Sequence, residues 1–133
     1  MKKTVIALAC AGIAVGAGAL WWSGSDGPSA QAATITLPRL TTAQAAGKTL
    51  FDANCAACHG PNATGSDDGP PLIHIIYEPS HHGDASFHRA AALGVRAHHW
   101  RFGNMPAVEG VTETDVAQII DYVRALQRAN GIE

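Results

Sequence analysis

Cys55 and Cys58 are separated by two alanines, and His59 follows directly. This order and spacing form the attachment pattern for a c-type haem. Two thiols at this separation make thioether bonds to the two vinyl groups of one porphyrin, and the adjacent imidazole then meets the iron from the proximal side. The motif therefore predicts one covalently attached haem c, with Cys55 and Cys58 as its anchors and His59 as an iron ligand.

Two other chemistries use the same Cys-x-x-Cys spacing. A structural zinc site needs four ligands, usually with a second Cys or His pair at matching spacing, but the only other cysteine is Cys10, in an apolar N-terminal stretch. A thioredoxin-like dithiol site needs a strand before the motif and a helix after it. Here a helical pattern precedes the motif and a Gly-Pro-rich loop over residues 60–65 follows. The context favours haem attachment, with zinc or dithiol chemistry as the alternative.

The N-terminal quarter of this 133-residue chain is set apart from the rest. Lys2 and Lys3 precede 19 residues without a charge, which is the arrangement of a segment that directs export. Residues 1–22 are therefore predicted to be a signal peptide or membrane anchor. Residues 23–38, rich in Gly, Ser and Ala, are predicted to be a flexible linker. Residues 39–133 form the predicted folded domain.

The sequence leaves two fates for the N-terminal segment. Small residues in Ala30-Gln31-Ala32 suit cleavage by a signal peptidase. Against cleavage, the uncharged run nearly reaches the roughly 20 residues that span a bilayer, and Trp21 and Trp22 stand where interfacial aromatics anchor a helix. Both fates place the domain on the periplasmic side of a bacterial cytoplasmic membrane. The anchored form would also contact the membrane through residues 4–22.

The charge balance excludes nucleic acid as a partner. The chain has 9 basic and 11 acidic residues, for a net charge of −2. A nucleic-acid-binding protein of this size needs a basic face, and two of the basic residues here, Lys2 and Lys3, lie in the export segment.

The pattern of residues 39–133 predicts helices joined by long loops. The predicted helices run from an N-cap at Thr41 or Thr42 to Asn54, over residues 85–93 between an Asp84 N-cap and Gly94, and from near Thr112 to Ala129. Apolar residues recur at helical spacing along the last helix, at Val116, Ile119, Ile120, Val123 and Leu126. Residues 60–79 are a predicted loop with a short buried run at Leu72, Ile73, Ile75 and Ile76.

These elements predict an all-α domain with three or more helices around one haem. About 100 residues with loops of this length cannot fill a core with their own side chains. A haem would supply the missing part of the core.

From about Thr41 to Gln127, the chain resembles the class I c-type cytochromes. The first predicted helix ends directly in the Cys55–His59 motif, and Gly47 and Phe51 resemble the glycine–aromatic pair of that family. The resemblance implies a cytochrome c-like fold in which Gly47 lets the first and last helices cross closely. Ile119 and Tyr122 are the expected partners on the last helix.

The resemblance also implies roles for the loop after the motif. Residues 69–72 resemble the loop that covers the proximal side of the haem, with Leu72 against it. A proline carbonyl of this loop, expected to be that of Pro71, would accept a hydrogen bond from Nδ1–H of His59. Such a bond orients the imidazole and raises its basicity as a ligand.

Residues 103–106 resemble the distal loop of the family, with Met105 as the sixth iron ligand. Met105 is the only methionine after the export segment, and Pro106 follows it. Trp100 and Arg101 resemble the polar lining of a haem propionate pocket, where an indole N–H and a guanidinium meet carboxylates. Tyr77 is a further candidate for the haem crevice.

The domain is unusually rich in histidine. Besides His59, it contains His74, His81, His82, His88, His98 and His99. The two adjacent pairs leave open a metal-binding face. They also leave open His98 or His99 as the sixth iron ligand in place of Met105.

The resemblance implies a periplasmic carrier of single electrons between respiratory or dehydrogenase partners, which would dock transiently at the haem edge. It would be an electron carrier and not an enzyme, since two axial ligands leave no open iron position. The same carrier role would fit the cytochrome subunit of a dehydrogenase. If Met105 is not a ligand, the alternative is a haem protein with ligand-binding or peroxidatic activity. Copper handling by the histidines is a second alternative.

Overall fold

Four α-helices provide the regular structure of residues 34–133, the part of the chain that the computed structural model describes. They are α1 (Thr42–Asn54), α2 (Ala56–His59), α3 (Asp84–Leu93) and α4 (Glu113–Ala129), with 3₁₀ turns at Pro61–Ala63 and Ile75–Tyr77. Within these residues the only extended pairing is an isolated antiparallel bridge between Val95 and Met105. The all-α prediction is confirmed.

Helix α1 begins where the sequence predicts, because Thr41 caps it. The Thr41 hydroxyl accepts from the Gln44 backbone N–H (3.2 Å), and the Gln44 side chain accepts in return from the Thr41 N–H (3.0 Å). This capping box satisfies two of the N–H groups that a helix start leaves without partners. At the other end, Cys55 follows α1 directly and α2 continues as a single turn to His59.

Helix α4 also matches its predicted bounds and carries the core. Thr112 and Asp115 form a second capping box at its start, and the negative side chain lies favourably near the positive end of the helix dipole. The residues of its predicted apolar stripe are all buried, namely Val116, Ile119, Ile120, Val123 and Leu126.

Helices α1 and α4 pack against each other through the predicted glycine–aromatic pair. A Cβ on Gly47 would collide with the backbone carbonyl of Gln118 and lie 3.2 Å from Cβ of Tyr122. One turn further along, the rings of Phe51 and Tyr122 are 5.6 Å apart and tilted. The expectation of a close crossing near Gly47 is confirmed. Ile119 joins Phe51 and Tyr122 in the same core cluster.

The predicted cap of α3 is wrong by one position. Gly83 is the N-cap residue, without a side-chain bond, and Asp84 is the first residue of the helix. The Asp84 carboxylate instead accepts from Nε of Arg124 on α4, at 2.9 Å. The partner comes from 40 residues along the chain, so local sequence rules cannot see it.

The predicted buried run after the motif is only partly buried. Leu72 is buried, but Ile75 is 58% exposed, and Ile73 and Ile76 lie between these extremes. The Ile75–Tyr77 segment is a 3₁₀ turn, so consecutive side chains point in different directions rather than into one core.

The first residue that the structure describes is Thr34. The predicted signal peptide or anchor over residues 1–22, Cys10, the Ala30–Ala32 cleavage site and residues 23–33 of the predicted linker lie outside the described residues. Thr36 is tied to the domain by two hydrogen bonds with the Asn130 side chain, at 2.8 and 2.9 Å. Among the described residues, none of the helices has the length and apolar character needed to cross a membrane.

Candidate functional site

A large cavity opens between the end of α1, α3, the loop before α4 and α4 itself. Its volume is about 800 Å³, within the range of roughly 300–1,000 Å³ for cofactor and ligand sites. Most predicted site residues line it, namely Cys55, Cys58, His59, Leu72, Tyr77, Trp100 and Met105. The structure thus brings together residues that lie up to 50 positions apart in the sequence.

The two thiols lie at the junction of α1 and α2. Both Cys55 and Cys58 are free. The one-turn helix α2 is closed by the His59 backbone N–H, which donates to the Cys55 carbonyl at 2.9 Å. Burial and the neighbouring Cys58 raise the pKa of Cys55 to about 11. Cys55 is therefore a neutral thiol at neutral pH, while Cys58 is exposed at the cavity edge.

His59 is held by a proline carbonyl, as expected, but by a different proline. Its Nδ1 lies 2.9 Å from the carbonyl oxygen of Pro70, whereas the sequence predicted Pro71. Pro71 packs against Gly65, where an added Cβ would lie 2.8 Å from the Pro71 nitrogen, and Pro71 does not line the cavity. Pro70, the residue before this contact, is the one whose carbonyl faces the imidazole.

Burial also decides the charge of His59. It lowers the pKa of the imidazole, and the Pro70 carbonyl offsets only part of that effect. The ring is therefore neutral at neutral pH, with Nδ1–H donated to Pro70. In this tautomer Nε2 keeps its lone pair, which is the form that binds a metal.

Met105 lies in a loop and lines the cavity, and hydrogen bonds of its backbone hold it in place. Its N–H and C=O form reciprocal hydrogen bonds with Val95, both 2.9 Å. Gly94 ends α3 with φ +74°, and a Cβ there would lie 2.5 Å from the Met105 carbonyl oxygen. Asn104 braces the same loop by accepting from the Ala97 N–H at 3.0 Å. The position of Met105 is thus set by the end of α3.

Tyr77 and Trp100 form a hydrogen-bonded pair in the cavity wall. The indole N–H of Trp100 donates to the Tyr77 hydroxyl at 3.1 Å. Burial raises the pKa of Tyr77, although the Trp100 bond counters this in part. The hydroxyl therefore stays protonated and retains its own O–H for an acceptor in the cavity. The Trp100 N–H, which was predicted to donate to a haem propionate, donates to Tyr77 instead.

The predicted arginine of the pocket is not the one at the cavity. Arg101 is exposed and does not line it. Arg89 of α3 and Arg96 of the following loop do. The sequence offers no local signal that separates these three arginines, since the direction of each side chain depends on how the loop after α3 folds back.

A buried polar network that sequence reasoning missed holds the loop behind the cavity. Arg124 donates to the carbonyls of Tyr77 (2.7 Å) and His82 (2.6 Å) as well as to Asp84. Gln127 donates to the carbonyl of Leu72 at 2.8 Å. The available signal was that Arg124 and Gln127 lie three residues apart beside the apolar stripe of α4, where a polar side chain must find a partner.

The histidines divide into two groups. His81, His82, His98 and His99 come together, with neighbouring ring centroids between 4.3 and 6.0 Å apart. His82, His98 and His99 also line the cavity. His74 instead packs edge-on against Trp100, and His88 lies on α3. Partial desolvation, and then the neighbouring His98, His82 and His81, lower the pKa of His99.

The cavity has the chemistry that a haem needs. Leu93, 77% exposed, and Phe102, 40% exposed, line it as large apolar side chains open to water. Exposed apolar surface of this kind marks a ligand site. Cys55 and Cys58 supply two free thiols, and neutral His59 and Met105 supply a nitrogen and a sulfur of the types that haem iron takes as axial ligands.

A helical domain with a thiol pair, a carbonyl-bonded imidazole and a methionine around one apolar cavity defines a class of haem-binding electron-transfer domains. The family model for cytochrome c matches residues 44–127, more than half of the chain. The chain therefore belongs to the cytochrome c family, and it is a haem c protein of the electron-carrying kind with one covalently bound haem. Searches of curated proteins and of solved structures found no match.

Proposed function

We propose that this protein carries single electrons outside the cytoplasmic membrane, with His59 and Met105 both bound to the haem iron. The observation that carries the proposal is the convergence of the Cys55-to-His59 motif and Met105 on one cavity. When bound, haem c supplies a one-electron Fe(III)/Fe(II) couple, and His/Met ligation raises its potential.

The residues around the cavity would keep the two oxidation states alike in structure. Pro70 holds the ring of His59, and the paired backbones of Val95 and Met105 hold the methionine. Axial ligands that are fixed in this way would move little when the iron changes between Fe(III) and Fe(II), as in other preorganised sites. With both axial positions filled, the protein would have no open position for a substrate, which supports a carrier rather than an enzyme.

Electrons would enter and leave at the edge that bears the cysteines. Ala57 and Cys58 are exposed there, so a partner protein would approach the haem closely on this side. Redox partners of this kind meet over small interfaces, below about 1,200 Å². The partners proposed are respiratory proteins or a dehydrogenase, of which this protein would be the carrier or the cytochrome subunit.

Replacing Met105 tests the ligation. Ferric wild-type protein should show the sulfur–iron charge-transfer band at the red end of the visible spectrum, and Met105→Ala should lack it. His98→Ala and His99→Ala are the matched controls and should retain the band. A band that persists in Met105→Ala, or that is lost in either histidine variant, contradicts the proposed ligand set.

Carbon monoxide distinguishes the rival function. Reduced wild-type protein should leave its spectrum unchanged under carbon monoxide, because both axial positions are filled. Rapid binding by the wild type would indicate an open iron and favour a ligand-binding or peroxidatic protein.

The location is part of the proposal and has its own test. The charged, apolar and linker segments of residues 1–38 support export, by either an anchor or a cleaved signal peptide. N-terminal sequencing of protein from fractionated cells separates the two. A start near Ala33 in the soluble periplasmic fraction supports cleavage, and an intact N-terminus in the membrane fraction supports the anchor. Holoprotein confined to the cytoplasm would contradict both.

A further inference from the structure

Four imidazoles from two separate loops meet beside the haem cavity. His81 and His82 lie in the turn before α3, and His98 and His99 lie in the loop after it. The Nε2 atoms of His81 and His99 are 3.3 Å apart. Three of these residues, His81, His82 and His99, each offer a ring nitrogen, and the three nitrogens lie within 4.8 Å of one another.

These separations fit one metal ion. With metal–nitrogen bonds of about 2.0–2.1 Å, tetrahedral coordination places two ligand nitrogens about 3.3–3.4 Å apart. The His81–His99 pair already has this separation. His82 needs only a small movement, since its nitrogen is within 4.8 Å of the other two. Three imidazoles would leave a fourth position for water, as in open zinc sites.

The orientation of His82 is set by the backbone. Its Nδ1 lies 2.6 Å from the carbonyl oxygen of Ile76, so Nδ1–H is the donor and Nε2 carries the lone pair. Metal-binding histidines have this arrangement, in which a carbonyl or carboxylate accepts from the second ring nitrogen and orients the ring.

The first of the two loops is held from the core. The backbone N–H groups of His81 and His82 both donate to the Glu78 carbonyl, at 3.1 and 2.8 Å. Arg124, buried on α4, donates to the carbonyl of His82 at 2.6 Å. The turn that presents His81 and His82 is therefore preformed, and a metal would not have to order it.

The second loop is closed near His99. The Val95–Met105 bridge joins its ends, and the Asn104 side chain accepts from the Ala97 N–H. His99 is exposed and its ring lies 5.3 Å from that of His81 and 5.2 Å from that of His82. Solvent thus has access to the point where the three rings meet.

We propose that His81, His82 and His99 form a second metal site, separate from the predicted iron ligands. The site would bind a divalent metal ion of the class that favours imidazole ligands, such as Zn²⁺ or Cu²⁺. The site joins the turn before α3 to the loop that carries Met105, so its metal links two loops that both border the haem cavity.

Zinc is the probe, because it has no redox chemistry with the haem. Ferric holoprotein without a polyhistidine tag is stripped with a chelator and then titrated with Zn²⁺ by calorimetry, and bound metal is counted after dialysis. We expect one Zn²⁺ per chain. His81→Gln and His99→Gln should each weaken binding by more than about 100-fold, since even loss of an outer-sphere partner costs about 10–100-fold.

His88→Gln is the matched control, because His88 lies on α3 outside the cluster. It should bind Zn²⁺ as the wild type does. The haem absorption spectrum of every variant should equal that of the wild type, which shows that each is folded and that the iron ligands are untouched. Absence of stoichiometric binding, binding that survives His81→Gln and His99→Gln, or a changed haem spectrum in either variant would each overturn the proposal.

Discussion

Gly47 of α1 lies directly against the backbone carbonyl of Gln118 of α4, with no room between them for even a methyl group. A backbone carbonyl cannot turn aside as the end of a side chain can, so this contact sets how closely the two helices approach. The rings of Phe51 and Tyr122 pack one turn away. Phe51 lines the cavity, so the shape of the cavity there depends on a residue that has no side chain.

Gly47→Val should destabilise the holoprotein by about 1–3 kcal/mol, the usual cost of overpacking. The new side chain would push α1 away from Gln118. Chemical denaturation of the ferric protein measures the change. Ala46→Val is the control on the exposed neighbouring position, where only helix propensity changes, by less than about 0.7 kcal/mol. Equal stability of Gly47→Val and wild type would show that the helices do not meet there.

Arg124→Lys should also destabilise the domain, by about 1–3 kcal/mol. A lysine keeps the charge but cannot reach the Tyr77 and His82 carbonyls and Asp84 together, as the guanidinium does. Buried acceptors without donors are costly. The measurement is the free energy of unfolding in denaturant.

Two variants separate this network from simple charge effects. Arg128→Lys alters an exposed arginine of the same helix and should change stability by less than about 0.5 kcal/mol. Asp84→Asn removes only the charge of the exposed partner, 63% open to solvent, and keeps an oxygen that can accept from Arg124, so it should cost less than about 1 kcal/mol. If Asp84→Asn costs as much stability as Arg124→Lys, then Arg124 stabilises the domain through its ion pair with Asp84 and not through the loop carbonyls.

Removing either thiol should lower the yield of holoprotein greatly. Cys55→Ala and Cys58→Ala each lose one covalent link, and the double variant loses both. Because the haem would fill a cavity of about 800 Å³ beside the core, we expect its attachment to be linked to folding. Haem staining after denaturing electrophoresis reports covalent attachment. Cys10→Ala should not change it, and a folded, haem-free double variant at normal yield would contradict the role of haem in the core.

The cap of α4 predicts a specific pH dependence. Hydrogen bonds from the Thr112 hydroxyl and then the Thr112 N–H lower the pKa of Asp115 below its ordinary value of 3.8. A lowered carboxyl pKa favours the folded state above the unfolded value, and this stabilisation is lost as pH falls through the folded value.

Asp115→Asn should keep the cap geometry but remove this titration. Its thermal unfolding midpoint should therefore fall less steeply than that of the wild type as the pH is lowered from about 5 to about 2. Asp121→Asn, on an exposed position of the same helix, should keep the wild-type slope. Parallel curves for wild type and Asp115→Asn would mean that the Asp115–Thr112 bonds do not persist in solution.

Local rules succeeded where neighbours in sequence are also neighbours in space. The caps at Thr41 and Thr112 and the stripe of α4 follow from side chains that act within one or two helical turns. The same rules failed at Asp84, where the partner is Arg124. The expectations for Pro71 and Arg101 came from the family resemblance, and here the structure has the Pro70 carbonyl at His59 and Arg89 and Arg96 at the cavity. Side-chain and carbonyl directions in a loop depend on what the loop packs against.

The amino-acid sequence alone specifies the covalent chemistry, since Cys55, Cys58 and His59 lie within five consecutive residues and their spacing matches one porphyrin. It also determined the helical framework, because caps and apolar periodicity are local. Packing of the folded chain selects the carbonyl that holds His59 and the arginines that border the cavity, and it brings His81 and His99 together. Those contacts join segments up to tens of residues apart, and their geometry exists only once α1 and α4 have packed and the loops have closed over them.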